Sequence, residues 1–194
     1  MKLVERFLVE LSQRWREPTR PQLRIIGSAA LMLQTSHVRA TKDSDILETI
    51  ELDADTKDRL IAIAGPRSEL AIQWKMYLDI VSSGLPFLPH TPIWHPVTIP
   101  GASNAIMFDT LDVADVVVSK LKRFAANDRS DIGAMIDLEL VSHSVLVERF
   151  LSAVDVFACD ARAADLPRYV ENLHEVERDM FGVDETIIEL PDWC

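Results

Sequence analysis

The chain is short of the residues that several kinds of functional site require. It has only two cysteines, Cys159 and Cys194, and their separation fits neither a metal-binding spacing nor a disulfide framework. This usage favours a reducing compartment, so a cytoplasmic location is expected. Glycine is limited to six residues, and the sequence contains no Gly-x-Gly-x-x-Gly, Gly-x-x-x-x-Gly-Lys-Ser/Thr or Gly-x-Ser-x-Gly motif. Dinucleotide-binding, P-loop and serine-hydrolase functions therefore have no support.

The sequence also lacks long apolar runs, and it has fewer basic than acidic residues. No run approaches the roughly 20 apolar residues of a membrane helix, and the N-terminal segment interleaves charges unlike a signal peptide. Lysine and arginine number 20 against 31 acidic residues, a formal net charge of −11. This balance disfavours a protein that coats nucleic acid, although a local basic patch could still hold a nucleic-acid substrate. Hydrophobic residues make up 48% of the chain, which is enough to bury a sizeable core.

The hydrophobic pattern predicts a mixed α/β region followed by an all-helical one. A short apolar strand over 23–26 ends at Gly27-Ser28, and a helix over 29–34 begins directly after it. Further strands are expected over 43–49, 76–82 and 105–108, with a short one near Val97. Helices are expected over 2–16, 55–64, 112–126, 128–142, 144–158 and 161–180.

Two short motifs carry chemistry that suits a phosphate ligand. At Gly27-Ser28 the glycine lets the backbone turn sharply, and the following helix N-terminus presents free N–H groups to an anion. An ordinary turn with a helix cap is the alternative. Asp43 and Asp45 stand two apart in a strand, so both carboxylates lie on one face and repel each other unless a cation sits between them. Magnesium prefers such ligands, whereas an exposed polar strand face is the alternative.

A third acid, Asp79, stands inside the apolar strand Tyr77-Leu78-Asp79-Ile80-Val81. Burying a single carboxylate in such a strand is costly without a partner. A metal shared with Asp43 and Asp45 would offset that cost. A strand-end aspartate that caps a neighbouring loop is the alternative.

The order of these three features resembles the nucleotidyltransferase superfamily of the polymerase-β type. More narrowly, Gly27-Ser28-Ala29-Ala30-Leu31 followed by Arg39-Ala40-Thr41-Lys42-Asp43-Ser44-Asp45-Ile46 is similar to the bacterial family that includes the AbiEii-type toxins. Ser44 departs from that family's pattern, which has a hydrophobic residue between the two acids. A later stretch from Asp115 to Ile132 extends the resemblance through a helical lysine and an Asp-Ile pair.

The resemblance implies an α+β fold with a small mixed-sheet nucleotidyltransferase core and flanking helices over residues 1–110. A helical C-terminal region, residues 111–194, would pack on that core. Asp43, Asp45 and Asp79 would hold two Mg²⁺ ions, and Asp79 would also orient the acceptor hydroxyl.

The resemblance also implies how a nucleoside triphosphate (NTP) is held. Gly27 and Ser28 would bind the β- and γ-phosphates. Lys120 would balance the triphosphate charge, with Asp131 close behind it. A solvated basic helix face is the alternative for Lys120 and Arg123. If Lys120 binds the triphosphate, Lys120→Ala is expected to leave folding nearly unaffected. If Lys120 does not bind the triphosphate, the cation would come from Arg39 or Lys42.

The function that these features favour is Mg²⁺-dependent transfer of a nucleoside monophosphate (NMP) from an NTP to an acceptor. The AbiEii-type likeness favours RNA, such as tRNA, or a protein as acceptor, with a role as the toxin of a toxin–antitoxin or phage-defence pair and a cognate antitoxin as partner. The acidic net charge favours the alternative of a cationic small-molecule acceptor of the aminoglycoside type. A second alternative is a non-catalytic module that binds a nucleotide or a partner protein. No membrane association is expected.

Overall fold

A five-stranded mixed sheet with helices around it forms the first of two compact units. The computed structural model describes residues 1–39, 43–49, 52–159 and 161–190. The first unit comprises residues 1–85 and 94–111. Its elements are α1 (Leu3–Arg14), β1 (Gln22–Ile25), α2 (Gly27–Gln34), β2 (Asp43–Leu47), α3 (Ala54–Ala64), α4 (Glu69–Trp74), β3 (Tyr77–Val81), β4 (Trp94–Pro96) and β5 (Met107–Leu111). This arrangement confirms the predicted α+β class with a mixed sheet.

The strand order in the sheet is β3-β2-β1-β5-β4. β2 runs parallel to β3 and antiparallel to β1, while β1 runs parallel to β5 and β5 antiparallel to β4. One face of the sheet is apolar and fully buried, because alternate residues point to it from each strand. Its members include Leu23, Ile25, Ile46 and Leu78, each 0% exposed. The sheet's opposite face, which carries the polar residues of β1, β2 and β3, is called the open face below.

The helices of this unit begin where side chains satisfy their free N–H groups. The Asp53 carboxylate accepts a hydrogen bond from the Thr56 N–H (2.7 Å) and starts α3. The Ser68 hydroxyl accepts from the Ala71 N–H (3.0 Å) and starts α4, which the sequence pattern did not predict. α2 begins at Gly27 itself, two residues before the predicted start. β5 spans 107–111 rather than the predicted 105–108.

The second unit comprises residues 86–93 together with the helical remainder from Asp112. Its helices are α5 (Val113–Leu121), α6 (Ala126–Asp137), α7 (His143–Phe157) and α8 (Leu166–Val176). The predicted helix over 161–180 is divided into a 3₁₀ turn (Ala161–Asp165), α8 and a π-helical turn (Glu177–Phe181). α5 is buried nearly all round, as expected of a helix at the centre of its unit.

The segment 86–93 belongs to the second unit because aromatic and ionic contacts anchor it there. The ring of Phe87 packs against Phe150, Phe157 and Tyr169, with centroids 5.0–5.4 Å apart. The buried Asp115 carboxylate accepts a hydrogen bond from the Ile93 N–H (2.8 Å). None of the described helices is long and apolar enough to cross a membrane.

Candidate active site

Two adjacent parallel strands bring three carboxylates to the open face of the sheet. The register pairs Asp43 with Tyr77 and Asp45 with Asp79. Paired residues on neighbouring strands point to the same side, as do residues two apart on one strand. Asp43, Asp45, Tyr77 and Asp79 therefore share one face, whereas Ser44 points to the opposite, buried face with 0% exposure.

The exposure of Asp79 differs from the sequence expectation. Its side chain is exposed, while Asp43 and Asp45 are half-buried. β3 is the edge strand of the sheet, so a side chain on its open face reaches solvent. Asp79 therefore has no burial cost for a metal to offset, contrary to the expectation from sequence. Its position beside Asp45 is nevertheless the one that a shared site requires.

The negative charges of the three acids affect the pKa of Tyr77. Burial raises the pKa of its phenol, and the charges of Asp43, Asp79 and Asp45 raise it further. All three carboxylates thus contribute negative potential at one side chain. Sequence reasoning did not single out Tyr77, although its spacing of two from Asp79 was the signal that places it on the same face.

The Gly27 turn lies directly against Asp45. The Ile26 N–H donates a hydrogen bond to the Asp45 carbonyl oxygen (2.9 Å). Gly27 has φ +63°, and a β-carbon built at this position would lie 3.0 Å from Asp45 Oδ2. Glycine suits both constraints, since a β-carbon would strain this left-handed backbone and crowd the Asp45 carboxylate. The N-terminus of α2 therefore begins next to one of the three acids.

A positively charged side chain, that of Arg39, lies at the start of α2. Arg39 Nη1 donates a hydrogen bond to Ser28 Oγ (3.3 Å). Ser28 and Arg39 are both half-buried, so both keep some contact with solvent. The helix start thus carries a hydroxyl and a guanidinium group, both of which can donate to an anion. Lys42, the other cation expected here, lies outside the described residues.

The donor set on the open face is chemically suited to Mg²⁺, because three carboxylates supply hard oxygen ligands. Throughout residues 1–39, 43–49, 52–159 and 161–190, no three His, Cys, Asp or Glu side chains are gathered closely enough to hold one metal ion as they stand. The protein therefore provides the ligands on one face without a preformed cage. Metal binding by Asp43, Asp45 and Asp79 stays a prediction.

Lys120 and Asp131 lie in the second unit, in a buried ionic network. Lys120 is 7% exposed, and its Nζ is 2.7 Å from Asp131 Oδ2 and 3.2 Å from Asp128 Oδ1. Arg123 donates two hydrogen bonds to Asp128, at 2.7 and 2.9 Å. Burial acts to raise the pKa of Asp128, but the Arg123 hydrogen bonds and the Lys120 charge outweigh it and hold that pKa below its usual range. The network joins α5 to α6.

This burial contradicts the alternative that Lys120 lies on a solvated helix face, whereas the Arg123 side chain is 72% exposed. It also corrects the expectation that Lys120→Ala leaves folding nearly unaffected, since removing one partner of a buried ion pair is strongly destabilising. Helical spacing brought Lys120 and Arg123 together, but it did not show that α6 covers Lys120.

Comparison with known proteins identifies one matching family. A family model described as a nucleotidyltransferase of unknown function (DUF6036) matches residues 4–181 of the chain. Neither the curated proteins nor the solved structures gave a match. The match spans both compact units and includes every candidate site residue named above.

Proposed function

Because the chain belongs to this nucleotidyltransferase family, we propose that it transfers an NMP from an NTP to an acceptor hydroxyl at the open face of β2 and β3. One observation carries the assignment. The Gly27 turn at the start of α2 lies against Asp45, which is itself paired with Asp79. A helix N-terminus that suits phosphates thus adjoins carboxylates that suit Mg²⁺.

The proposed reaction is an in-line displacement at the α-phosphorus. The acceptor oxygen forms a new bond to phosphorus, the bond from phosphorus to the α–β bridging oxygen breaks, and pyrophosphate leaves. Gly27 and Ser28 would hold the β- and γ-phosphates, with Arg39 adding positive charge beside Ser28. Asp79, which has its carboxylate in solvent, would orient the acceptor hydroxyl and receive its proton. The protein would thus contribute to the reaction mainly by positioning the NTP and the acceptor hydroxyl and by placing charges around them.

Asp43 and Asp45 would together hold the two Mg²⁺ ions, with Asp79 as a further ligand. When bound, the ions would polarise the triphosphate and neutralise the leaving pyrophosphate.

A pyrophosphate-release assay tests the proposal. Wild-type protein is incubated with each NTP, Mg²⁺ and either bulk tRNA, bulk protein or an aminoglycoside panel, and label from the α-phosphate is followed into the acceptor. We expect incorporation with one acceptor class, its loss in Asp43→Asn, and its retention in Asp137→Asn, which changes an exposed acid of the second unit. Magnesium-dependent NTP binding without pyrophosphate release in any mixture would indicate the non-catalytic module instead.

We also propose a biological role as the toxin of a toxin–antitoxin or phage-defence pair, with RNA or protein as the acceptor. This role is supported by the AbiEii-type likeness of the segment from Gly27 to Ile46. Induced expression of wild-type protein is expected to arrest bacterial growth, and Asp45→Asn is expected to be harmless at equal abundance. Equal toxicity of the two proteins would contradict a role through nucleotidyl transfer.

A further inference from the structure

The open face of the sheet continues past the three acids into a cavity of about 580 Å³. The cavity is lined by Arg24 from β1, by Leu47, Glu48 and Thr49 at the end of β2, and by Lys57 from α3. Its volume is in the range of sites that bind small molecules or single residues of a polymer. None of these lining residues belongs to the proposed NTP site.

The cavity is adjacent to the acids along the strands. Leu47 follows Asp45 by two residues on β2 and therefore points to the same face, about 7 Å further along the strand. Arg24 is paired with Leu47 across β1 and β2, so its side chain also rises from the open face. A ligand in the cavity would thus lie beside Asp45 and Asp79, at the end of the site opposite the Gly27 turn.

The charges on the cavity wall favour an anionic ligand. Lys57 Nζ is 2.6 Å from Glu48 Oε1, so these two charges neutralise each other. The Arg24 guanidinium stacks over the ring of Trp94, 5.3 Å from its centroid, and within the described part of the chain no ion pair involves it. The wall therefore carries one excess positive charge on a protein whose net charge is −11.

A hydroxyl group on the wall lacks the partner that buried polar atoms normally have. Thr49 Oγ1 is buried and makes no hydrogen bond in the described structure. An arginine and an unsatisfied hydroxyl suit a ligand with both an anionic group and sugar hydroxyls, because arginine binds phosphate oxygens in a forked geometry and a threonine hydroxyl can donate or accept.

We propose that this cavity is the acceptor subsite and that it takes a phosphorylated ribose with a free hydroxyl. The inference rests on the proposed function, since it supplies the acceptor for that reaction. Arg24 binds the phosphate, Thr49 binds a sugar hydroxyl, and the reacting hydroxyl is directed toward Asp79. Its oxygen bonds to the α-phosphorus of the NTP, pyrophosphate leaves, and the hydroxyl proton passes to the Asp79 carboxylate.

Direct binding measurements test the subsite independently of turnover. The probes are ribose 5-phosphate, a four-residue oligoribonucleotide and an uncharged morpholino oligomer of the same base sequence, titrated into full-length protein and followed by NMR. The two phosphate-bearing probes distinguish a free sugar phosphate from a nucleic-acid end. The variants are Arg24→Gln and Thr49→Val, and the matched control is Arg67→Gln, an exposed arginine outside the cavity.

We expect at least one phosphate-bearing probe to bind wild type and Arg67→Gln alike, and the morpholino to bind neither. Arg24→Gln should weaken that binding by about 10-fold or more, the range for a hydrogen bond to a charged group. Thr49→Val should weaken it less, while the melting temperature of the free protein stays level or rises, because an unsatisfied hydroxyl is removed.

Two results would overturn the subsite. One is the absence of binding by both phosphate-bearing probes, or binding that Arg24→Gln does not change. The other is a loss of NTP affinity in Arg24→Gln with unchanged probe affinity, which would assign the cavity to the nucleoside of the NTP. Failure of the proposed function has a different signature, since wild-type protein would then release no pyrophosphate from any NTP with any acceptor, whether or not the phosphate-bearing probes bind.

Discussion

A β-carbon added at Gly27 would lie 3.0 Å from Oδ2 of Asp45, which ties the turn before α2 to the acids of β2. Gly27→Ala is therefore expected to destabilise the protein by about 1–3 kcal/mol, because the backbone is left-handed here and the methyl group displaces the carboxylate. Urea denaturation measures the change.

Gly133→Ala is the matched control for this substitution. Gly133 lies within α6, and a β-carbon there meets nothing within 4 Å. Replacing a glycine inside a helix by alanine should stabilise the protein by about 0.5–1 kcal/mol. If both substitutions changed stability equally, the close approach of Gly27 to Asp45 would be refuted.

Ser44 stands between the two acids of β2 but points into the core. It is 0% exposed, and its Oγ makes no hydrogen bond in the described structure. Ser44→Ala is expected to leave the free energy of unfolding level or to raise it, because the buried hydroxyl has no partner to lose. Thermal denaturation followed by circular dichroism measures this.

Ser12→Ala provides the contrast, because the Ser12 hydroxyl is equally buried but satisfied. Its Oγ donates to the Val9 carbonyl (2.7 Å) and accepts from the Ser103 N–H (2.9 Å). Losing it leaves the Ser103 N–H without that partner and should cost about 1–3 kcal/mol. A clear loss of stability in Ser44→Ala, as large as that in Ser12→Ala, would mean that the Ser44 hydroxyl has a partner in solution.

Lys120 holds two buried carboxylates together, so its removal is expected to be costly. Lys120→Met should lower the free energy of unfolding by about 3–5 kcal/mol, the range for breaking a buried ion pair. Arg168→Ala serves as the control, because its ion pair with Asp165 is exposed and should contribute about 0–1 kcal/mol. A loss below 1 kcal/mol in Lys120→Met would contradict the buried network.

The buried Glu177 predicts a pH dependence of stability. Burial acts to raise its pKa, but hydrogen bonds from His143 and from the N–H and hydroxyl of Thr186 outweigh this and hold the pKa below its usual range. A lowered pKa in the folded state gives stability that is full above the unfolded-state pKa of about 4.3 and is lost as pH falls through the folded-state value.

Glu177→Gln should therefore make the loss of stability below about pH 4.3 shallower, because one proton-binding group is removed. Urea denaturation across pH 7 to pH 3 measures the slope. Glu171→Gln, at an exposed acid of α8, should keep the wild-type slope. An unchanged slope in Glu177→Gln would show that its carboxylate is not held in the charged form.

The strands of the sheet were predicted from the sequence better than the helices around them. β1, β2 and β3 lie close to their predicted positions because apolar strands between turn signals are a local pattern. α4 was missed because a six-residue helix is too short for a periodic signal, and the cap at Ser68 becomes visible only in the fold.

At the candidate site, too, the features set by neighbouring residues were predicted, and the features set by residues distant in sequence were not. Alternation along β2 predicts that Asp43 and Asp45 share a face, and the register confirms that Asp79 joins them. The exposure of Asp79 depends on β3 being an edge strand, and the burial of Lys120 depends on packing by α6. Strand order and helix packing are set by contacts distant in sequence, so neither follows from the spacing of residues.

Calorimetric titration tests most directly whether the three acids form a Mg²⁺-dependent NTP site. A non-hydrolysable NTP analogue is titrated into wild-type and Asp45→Asn protein, with and without Mg²⁺. We expect wild type and the control Asp137→Asn to bind the analogue only when Mg²⁺ is present. We expect Asp45→Asn not to bind it under either condition. Equal binding of the analogue by wild type and a stably folded Asp45→Asn would contradict an NTP site at the three acids.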